Sequence, residues 1–273
     1  MLKHRLILGA VLIAGLVGLV WFDSTLETGW AVALVGALVA AAGGVELARL
    51  WRGMGHAGES GWTALCALLG YTGVVATALW DGAPADLAGV GVGAALLASA
   101  VWYARGRSIE RLTGGAAGGC FAAVYLGVLP ASVVLLREEF GVWALLGVLA
   151  VIKSCDIGAY FVGMNLGKRK LIPWLSPGKT WEGLIGGMAT AAAVGAAFST
   201  GAEWIGWLPA AGLGAVVGLA GQGGDLFESA LKRAAGVKDS GRVPGFGGVL
   251  DLLDSPLVGL PVGLWVLRLL TYS

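Results

Sequence analysis

Long, nearly unbroken apolar runs separated by short polar clusters dominate this chain. A membrane-spanning helix takes about 20 largely apolar residues, and about nine such runs can be placed, near 5–22, 30–47, 61–80, 86–104, 114–136, 141–163, 183–200, 204–222 and 256–271. The pattern predicts an all-α polytopic membrane protein whose residues 1–273 form a single integral membrane domain. Composition agrees: of 273 residues 57% are hydrophobic and 13% charged, and the mean hydropathy is +0.82, more apolar than a soluble domain of this size needs. The 48 glycines would weaken isolated soluble helices, but small residues let transmembrane helices approach closely.

The basic residues test this segmentation, because cytoplasmic loops carry an excess of Lys and Arg. Lys3 and Arg5 precede the first run, Arg49 and Arg52 follow the second, and Arg105, Arg107 and Arg111 follow the fourth. Lys168, Arg169, Lys170 and Lys179 follow the sixth, and Lys232, Arg233, Lys238 and Arg242 the eighth, so fifteen of the 18 basic residues fall on one side. The opposite loops hold Asp23, Glu27, Asp81, Asp86, Glu138, Glu139 and Glu203, with Arg137 their one basic residue. This alternation predicts a cytoplasmic amino terminus and an external carboxyl terminus. Trp21, Trp30, Trp51, Trp62, Trp80, Trp102, Trp143 and Trp204 lie at or near the predicted span ends, where an amphipathic indole prefers the headgroup zone.

The first run lacks a small-x-small cleavage site before Asp23 and is expected to be a retained helix rather than a secretory signal. Cys66, Cys120 and Cys155 all fall within predicted spans, which argues for packing rather than a disulfide framework or a zinc site. The two histidines, His4 and His56, lie away from the polar clusters, so a Ser-His-Asp arrangement there is not expected.

Two polar stretches remain, and the charge pattern puts them on the same membrane face. Between Gly224 and Pro256 the chain gathers Asp225, Glu228, Lys232, Arg233, Lys238, Asp239, Arg242, Asp251 and Asp254 among glycines. Carboxylates interleaved with cations beside apolar helices suit metal-assisted chemistry on a phosphorylated lipid; the plain alternative is a solvated loop. The other stretch carries Lys153 and Asp156, three apart and able to pair on a helix, and then Ser176-Pro177-Gly178-Lys179-Thr180. Its Gly-Lys-Thr resembles the end of a phosphate-binding P-loop, but Pro173 stands where a glycine is required and no strand is expected before it. Phosphate binding through the Gly178 backbone, the Lys179 charge and the Ser176 and Thr180 hydroxyls remains the expectation.

Together these stretches resemble the phosphatidate cytidylyltransferases, or CDP-diacylglycerol synthases. The family signature looks like Ser229, Lys232-Arg233 and Lys238-Asp239, then Pro244-Gly245-Phe246-Gly247-Gly248 and Leu250-Asp251-Leu252-Leu253-Asp254-Ser255. Asp156-Ile157-Gly158-Ala159-Tyr160 and Ser176 through Gly183 match further motifs in order and spacing. The likeness covers roughly residues 141–265, a catalytic half of 141–273, and leaves 1–140 as a variable helical half. Phe246 replaces the usual His, Leu252 the usual Arg, and the segment from Asp239 to Gly247 is one residue short, while every carboxylate is retained.

The resemblance implies Mg²⁺-dependent transfer from CTP to phosphatidic acid, giving CDP-diacylglycerol and pyrophosphate, at the cytoplasmic face of a prokaryotic plasma membrane. It makes Asp225, Asp251 and Asp254 the expected Mg²⁺ ligands, with a second or a monovalent cation left open and capping of the ninth span the alternative role for Asp254. Lys232, Arg233, Lys238 and Asp239 are expected to act on the phosphates, and Asp156, Ser176, Gly178, Lys179, Thr180, Gly247 and Gly248 to bind substrate. For the basic residues the alternative is a topology signal facing anionic headgroups. The implied partners are CTP, phosphatidic acid and the bilayer, with no nucleic acid. A homodimer is implied by resemblance, and Gly114 with Gly118, or Gly115 with Gly119, would permit helix packing. The rival readings are a transporter or inactive scaffold with the family architecture, a different lipid acceptor, or a lipid kinase using CTP.

Overall fold

The computed structural model describes residues 15, 18–25, 28–201, 205–241 and 247–272. Lys3, His4, Arg5, Trp204, Arg242 and Phe246, and most of the first predicted run, lie outside them. Among the described residues the regular structure is helical apart from one small β-ribbon, and the chain divides into two compact units: Met1–Glu138 with Leu231–Leu252, and Glu139–Ala230 with Leu253–Ser273.

The first unit holds α1 (Trp30–Gly53), α2 (Ser60–Leu79), α3 (Leu87–Ala104) and α4 (Ile109–Ala122), which runs through a π-helical turn, Ala123–Val128, into α5 (Leu129–Leu166). Glycine sets the spacing, since a Cβ on Gly44 of α1 would stand 2.6 Å from the Ala64 Cα of α2, and one on Gly127 would stand 2.7 Å from the Tyr71 amide. Tyr71, buried in α2, donates to the Ala33 carbonyl of α1 at 2.9 Å, which satisfies a phenol that apolar surroundings would otherwise penalise. Fully buried Asp23 accepts from Arg137 at 2.8 Å and from the Ala31 amide at 3.0 Å, so the one basic residue of the acidic loops is an internal ion-pair partner. Gly115, Gly118 and Gly119 of α4 pack against Tyr103, Trp51 and Ser99, and Gly114 lies against His56. The small-residue pairs read as permitting a dimer are thus used inside one chain.

The second unit holds the rest of α5, strands β1 (Lys170–Ile172) and β2 (Ser176–Thr180), α6 (Trp181–Phe198) with a 3₁₀ turn at Ser199–Gly201, α7 (Trp207–Ala234) up to Ala230, and α8 (Leu250–Tyr272) from Leu253. The strands pair antiparallel, Lys170 with Thr180 and Ile172 with Ser176. Cys155 of α5 is buried where Gly187 of α6 and Gly218 of α7 come close, which agrees with a packing role, and all three cysteines are free.

Among the described residues, six helical stretches are long and apolar enough to cross a membrane: Trp30–Gly53, Ser60–Leu79, Leu87–Ala104, Ile109–Leu166, Trp181–Gly201 and Leu250–Tyr272. The 58 residues of Ile109–Leu166 cover two expected runs, and the break falls at Gly141, whose φ of 79° only glycine adopts readily. The helix over the eighth expected run, α7, is not among the six. Trp21, Trp30, Trp80 and Trp143 are exposed, whereas Trp62 and Trp102 stack at 4.7 Å.

In the polar stretch two boundaries differ from expectation. Helix α7 continues twelve residues past 222, because Asp225 through Ala234 includes good helix formers; it stops where Gly236 takes φ 72° and Gly236 and Val237 donate to the Arg233 and Lys232 carbonyls. Helix α8 begins at Leu250, six residues early, despite Pro256 and Pro261. What read as one polar loop includes two helix ends, 225–234 and 250–255.

Candidate active site

In the first unit Lys232 near the end of α7 donates to Asp251 Oδ1 at 2.6 Å. The Ser240 amide and hydroxyl both reach Asp251 Oδ2 at 2.8 Å, and the hydroxyl also lies 2.9 Å from Glu46 Oε2. One hydroxyl proton serves one acceptor at a time, so with the amide on Asp251 the hydroxyl is available to Glu46. Lys232 and Asp251 are largely buried, at 13% and 11% side-chain exposure, which makes this a well-shielded, charge-assisted pair.

Gly247, at φ 82°, lies where a Cβ would come 2.5 Å from Asp251 Oδ2, and Gly248 lies against Ser240 and Glu46. Both glycines therefore act here by giving the carboxylate network room. Arg233, Lys238 and Asp239 are exposed beyond it, with Arg233 reaching the Val237 carbonyl at 3.5 Å. Leu252, where the resembling family has Arg, is half-buried in the first turn of α8.

The second unit holds a network more open to solvent. Lys179, on β2, reaches Asp225 at 2.8 Å and Gln222 Oε1 at 2.9 Å, both on α7. Gln222 passes its amide to Asp156 Oδ1 at 2.8 Å, Ser255 donates to the same oxygen at 3.2 Å, and Lys153 stands 3.6 Å from Asp156 Oδ2, the pairing expected from their spacing. Asp254 accepts from the Ser255 amide at 2.6 Å and lies in the electrostatic field of Asp225, Lys153 and Asp156. The first-turn amide of α8, Leu250, is met by Glu46 within the first unit, so the capping role considered for Asp254 is taken by another carboxylate.

Ser176, Gly178, Lys179 and Thr180 share β2, but they divide in role. Thr180, buried, caps α6 by accepting from the Gly183 amide at 3.1 Å, while a Cβ at Gly178 would meet open space. One of the two grounds against a P-loop also fails, because β1 does precede this segment. It pairs antiparallel, however, and Pro173 still replaces the glycine that a phosphate-cradling loop needs.

Glu46, Gln222 and Ser240, all buried, are members of these networks that sequence reasoning missed, and buried Ser255 entered it only as part of the signature, without a role. The signal for Glu46 was present, as a lone acid inside an apolar run.

The donors fit Mg²⁺ by type: Asp225 and Asp254 offer hard carboxylate oxygens, and no sulfur or imidazole stands with them in the contacts described. Among the described residues no group of three or more His, Cys, Asp or Glu side chains is poised to hold a metal. Mg²⁺ ordinarily takes one or two carboxylates and completes its shell with water and phosphate oxygens, so two aspartates meet its needs.

A model of the cytidylyltransferase family matches residues 3–270. The phosphatidate cytidylyltransferase of Bacillus subtilis is 41% identical over 152 residues, covering 54% of this chain and 56% of that protein. That of Brucella suis is 45% identical over 133 residues, 48% of this chain and 49% of that protein. That of Helicobacter pylori strain J99 is 34% identical over 258 residues, 94% of this chain and 88% of that protein. The chain thus spans about half the length of several curated relatives and nearly all of one, and the likeness reaches well into the amino-terminal half, past the 141–265 carried by motifs.

Proposed function

From the premise that this chain belongs to the cytidylyltransferase family, we propose that it joins CTP to phosphatidic acid, forming CDP-diacylglycerol and releasing pyrophosphate. A phosphate oxygen of the lipid attacks the α-phosphorus of CTP, one P–O bond forms, and the bond to the β-phosphate oxygen breaks. No covalent enzyme intermediate is required. Catalysis of this kind is mostly positioning and neutralisation of charge.

The observation that carries the reading is the pairing of lysines with aspartates inside an apolar helical protein, Lys179 with Asp225 and Lys232 with Asp251. Such pairs are costly to bury and suit a site whose polyanionic ligand exchanges with internal carboxylates for the same cations. In the second unit Asp225 and Asp254 are assigned to hold Mg²⁺, which when bound would neutralise and orient the polyphosphate, and Asp251, in the first unit, is assigned as a further Mg²⁺ ligand. Lys179 and Lys153, with Lys232, Arg233 and Lys238, hold phosphate oxygens. Asp156 keeps Lys153 and Gln222 in place, and Asp239 and the Gly247-Gly248 pair act beside Asp251 and Ser240.

The protein has several apolar helices and belongs in a membrane. The finer reading is nine crossings, an inner (plasma) membrane, a cytoplasmic amino terminus and site, and a homodimer. The test is conversion of radiolabelled CTP to a lipid-soluble product by purified protein with phosphatidic acid, with and without Mg²⁺. Mg²⁺-dependent CDP-diacylglycerol is the expected result. Folded protein that binds CTP yet forms no CDP-lipid with phosphatidic acid overturns the reading in favour of another acceptor or a scaffold.

A further inference from the structure

Glu46 sits on α1, within an otherwise apolar run, and is only 6% exposed. A buried carboxylate is tolerated when its oxygens are engaged, and here they are. Oε1 accepts from the Val249 amide at 2.9 Å, and Oε2 accepts from the Leu250 amide at 3.0 Å and lies 2.9 Å from the Ser240 hydroxyl. The amides at the start of α8 have no intrahelical acceptors, and the positive end of that helix favours an anion. Two glycines close around the carboxylate: a Cβ on Gly241 would stand 2.7 Å from Oε1, and one on Gly248 would collide with Oε2.

We propose that Glu46 is a positioning residue for cytidylyl transfer. It fixes Ser240, Val249 and Leu250, Ser240 in turn holds Asp251, and Asp251 holds Lys232, so a side chain of the amino-terminal half orients two residues of the signature. The proposal rests on the cytidylyltransferase reading. Replacing Glu46 with Gln preserves shape but turns an amide N–H₂ toward a donor whichever way it is set, against Val249 in one orientation and Leu250 in the other.

Wild type, Glu46→Gln, Glu46→Asp and Gly248→Ala would be compared in detergent by steady-state kinetics and by hydrogen–deuterium exchange. For Glu46→Gln the expected result is a kcat about 10- to 100-fold lower with little change in KM for CTP, as when the support of a ligating group is lost. Exchange should rise at the 240, 249 and 250 amides while α2 and α3 stay protected. Glu46→Asp should recover part of the rate, and Gly248→Ala, which pushes on the carboxylate from outside, should lower kcat in the same way. Wild-type kcat in Glu46→Gln, or a general loss of protection across α1 to α4, overturns the proposal. Absence of CDP-lipid from the wild type would fail the functional reading alone, since the exchange contrast still reports whether Glu46 holds the 240, 249 and 250 amides.

Discussion

The two carboxylate–lysine networks differ in how far their oxygens are committed. Asp251 is 11% exposed and spends both oxygens on Lys232 and Ser240, whereas Asp225 and Asp156 retain 29% and 30% exposure. Partners also differ in kind, since backbone amides of Ser240, Val249 and Leu250 anchor the first network and long side chains dominate the second. A carboxylate tied to main-chain amides holds shape. One tied to Lys and Gln side chains can exchange them for a ligand at the cost of a few rotamers.

The largest effect that would sharpen this contrast is at Asp225. Asp225→Asn should lower kcat on the order of 10³-fold and shift the Mg²⁺ titration to higher concentration, since it removes a charge proposed to meet the metal. An unshifted titration would take Asp225 out of the metal site. Asp251→Asn should also abolish most turnover, and here the titration decides between roles. A displaced midpoint supports metal ligation, an unmoved midpoint with lowered kcat confines Asp251 to holding Lys232, and retained turnover discards both.

Gly247→Val should come next, at about 10²-fold in kcat, because the left-handed backbone and the nearby Asp251 oxygen both oppose a branched side chain. Circular dichroism should show the helices intact, and a fully active variant would break the claim that this turn sets the site. Lys179→Met should raise KM for CTP about tenfold by removing one charge-assisted contact. Smallest of all, Arg233→Ala, at an exposed position, should raise KM for CTP by about threefold, and by less as salt is raised.

Most helices could be read from the chain because a lipid-compatible run of about 20 residues is a strong and nearly unambiguous signal. The method fails where a helix stops being apolar. Asp225 to Ala234 and Leu250 to Ser255 are helical by propensity, capping and tertiary contact, none of which a hydropathy pattern sees. The ribbon of Lys170–Ile172 with Ser176–Thr180 is too short to register as strands. Among site residues, Lys153 with Asp156 followed from spacing, because a helix brings positions three apart together. Gln222 with Lys179 and Glu46 with Ser240 did not, since each joins segments far apart in sequence, 43 and 194 residues respectively.

The glycine contacts between neighbouring helices carry a practical consequence. At Gly44 on Ala64, or Gly127 on Tyr71, main chain meets main chain with no side chain between, and such contacts draw on dispersion rather than on the exclusion of water. Their strength therefore depends little on whether hydrocarbon tails or a mild detergent surround the protein. Each unit should keep its internal geometry on extraction, and rates measured in micelles describe the same architecture that works in the bilayer.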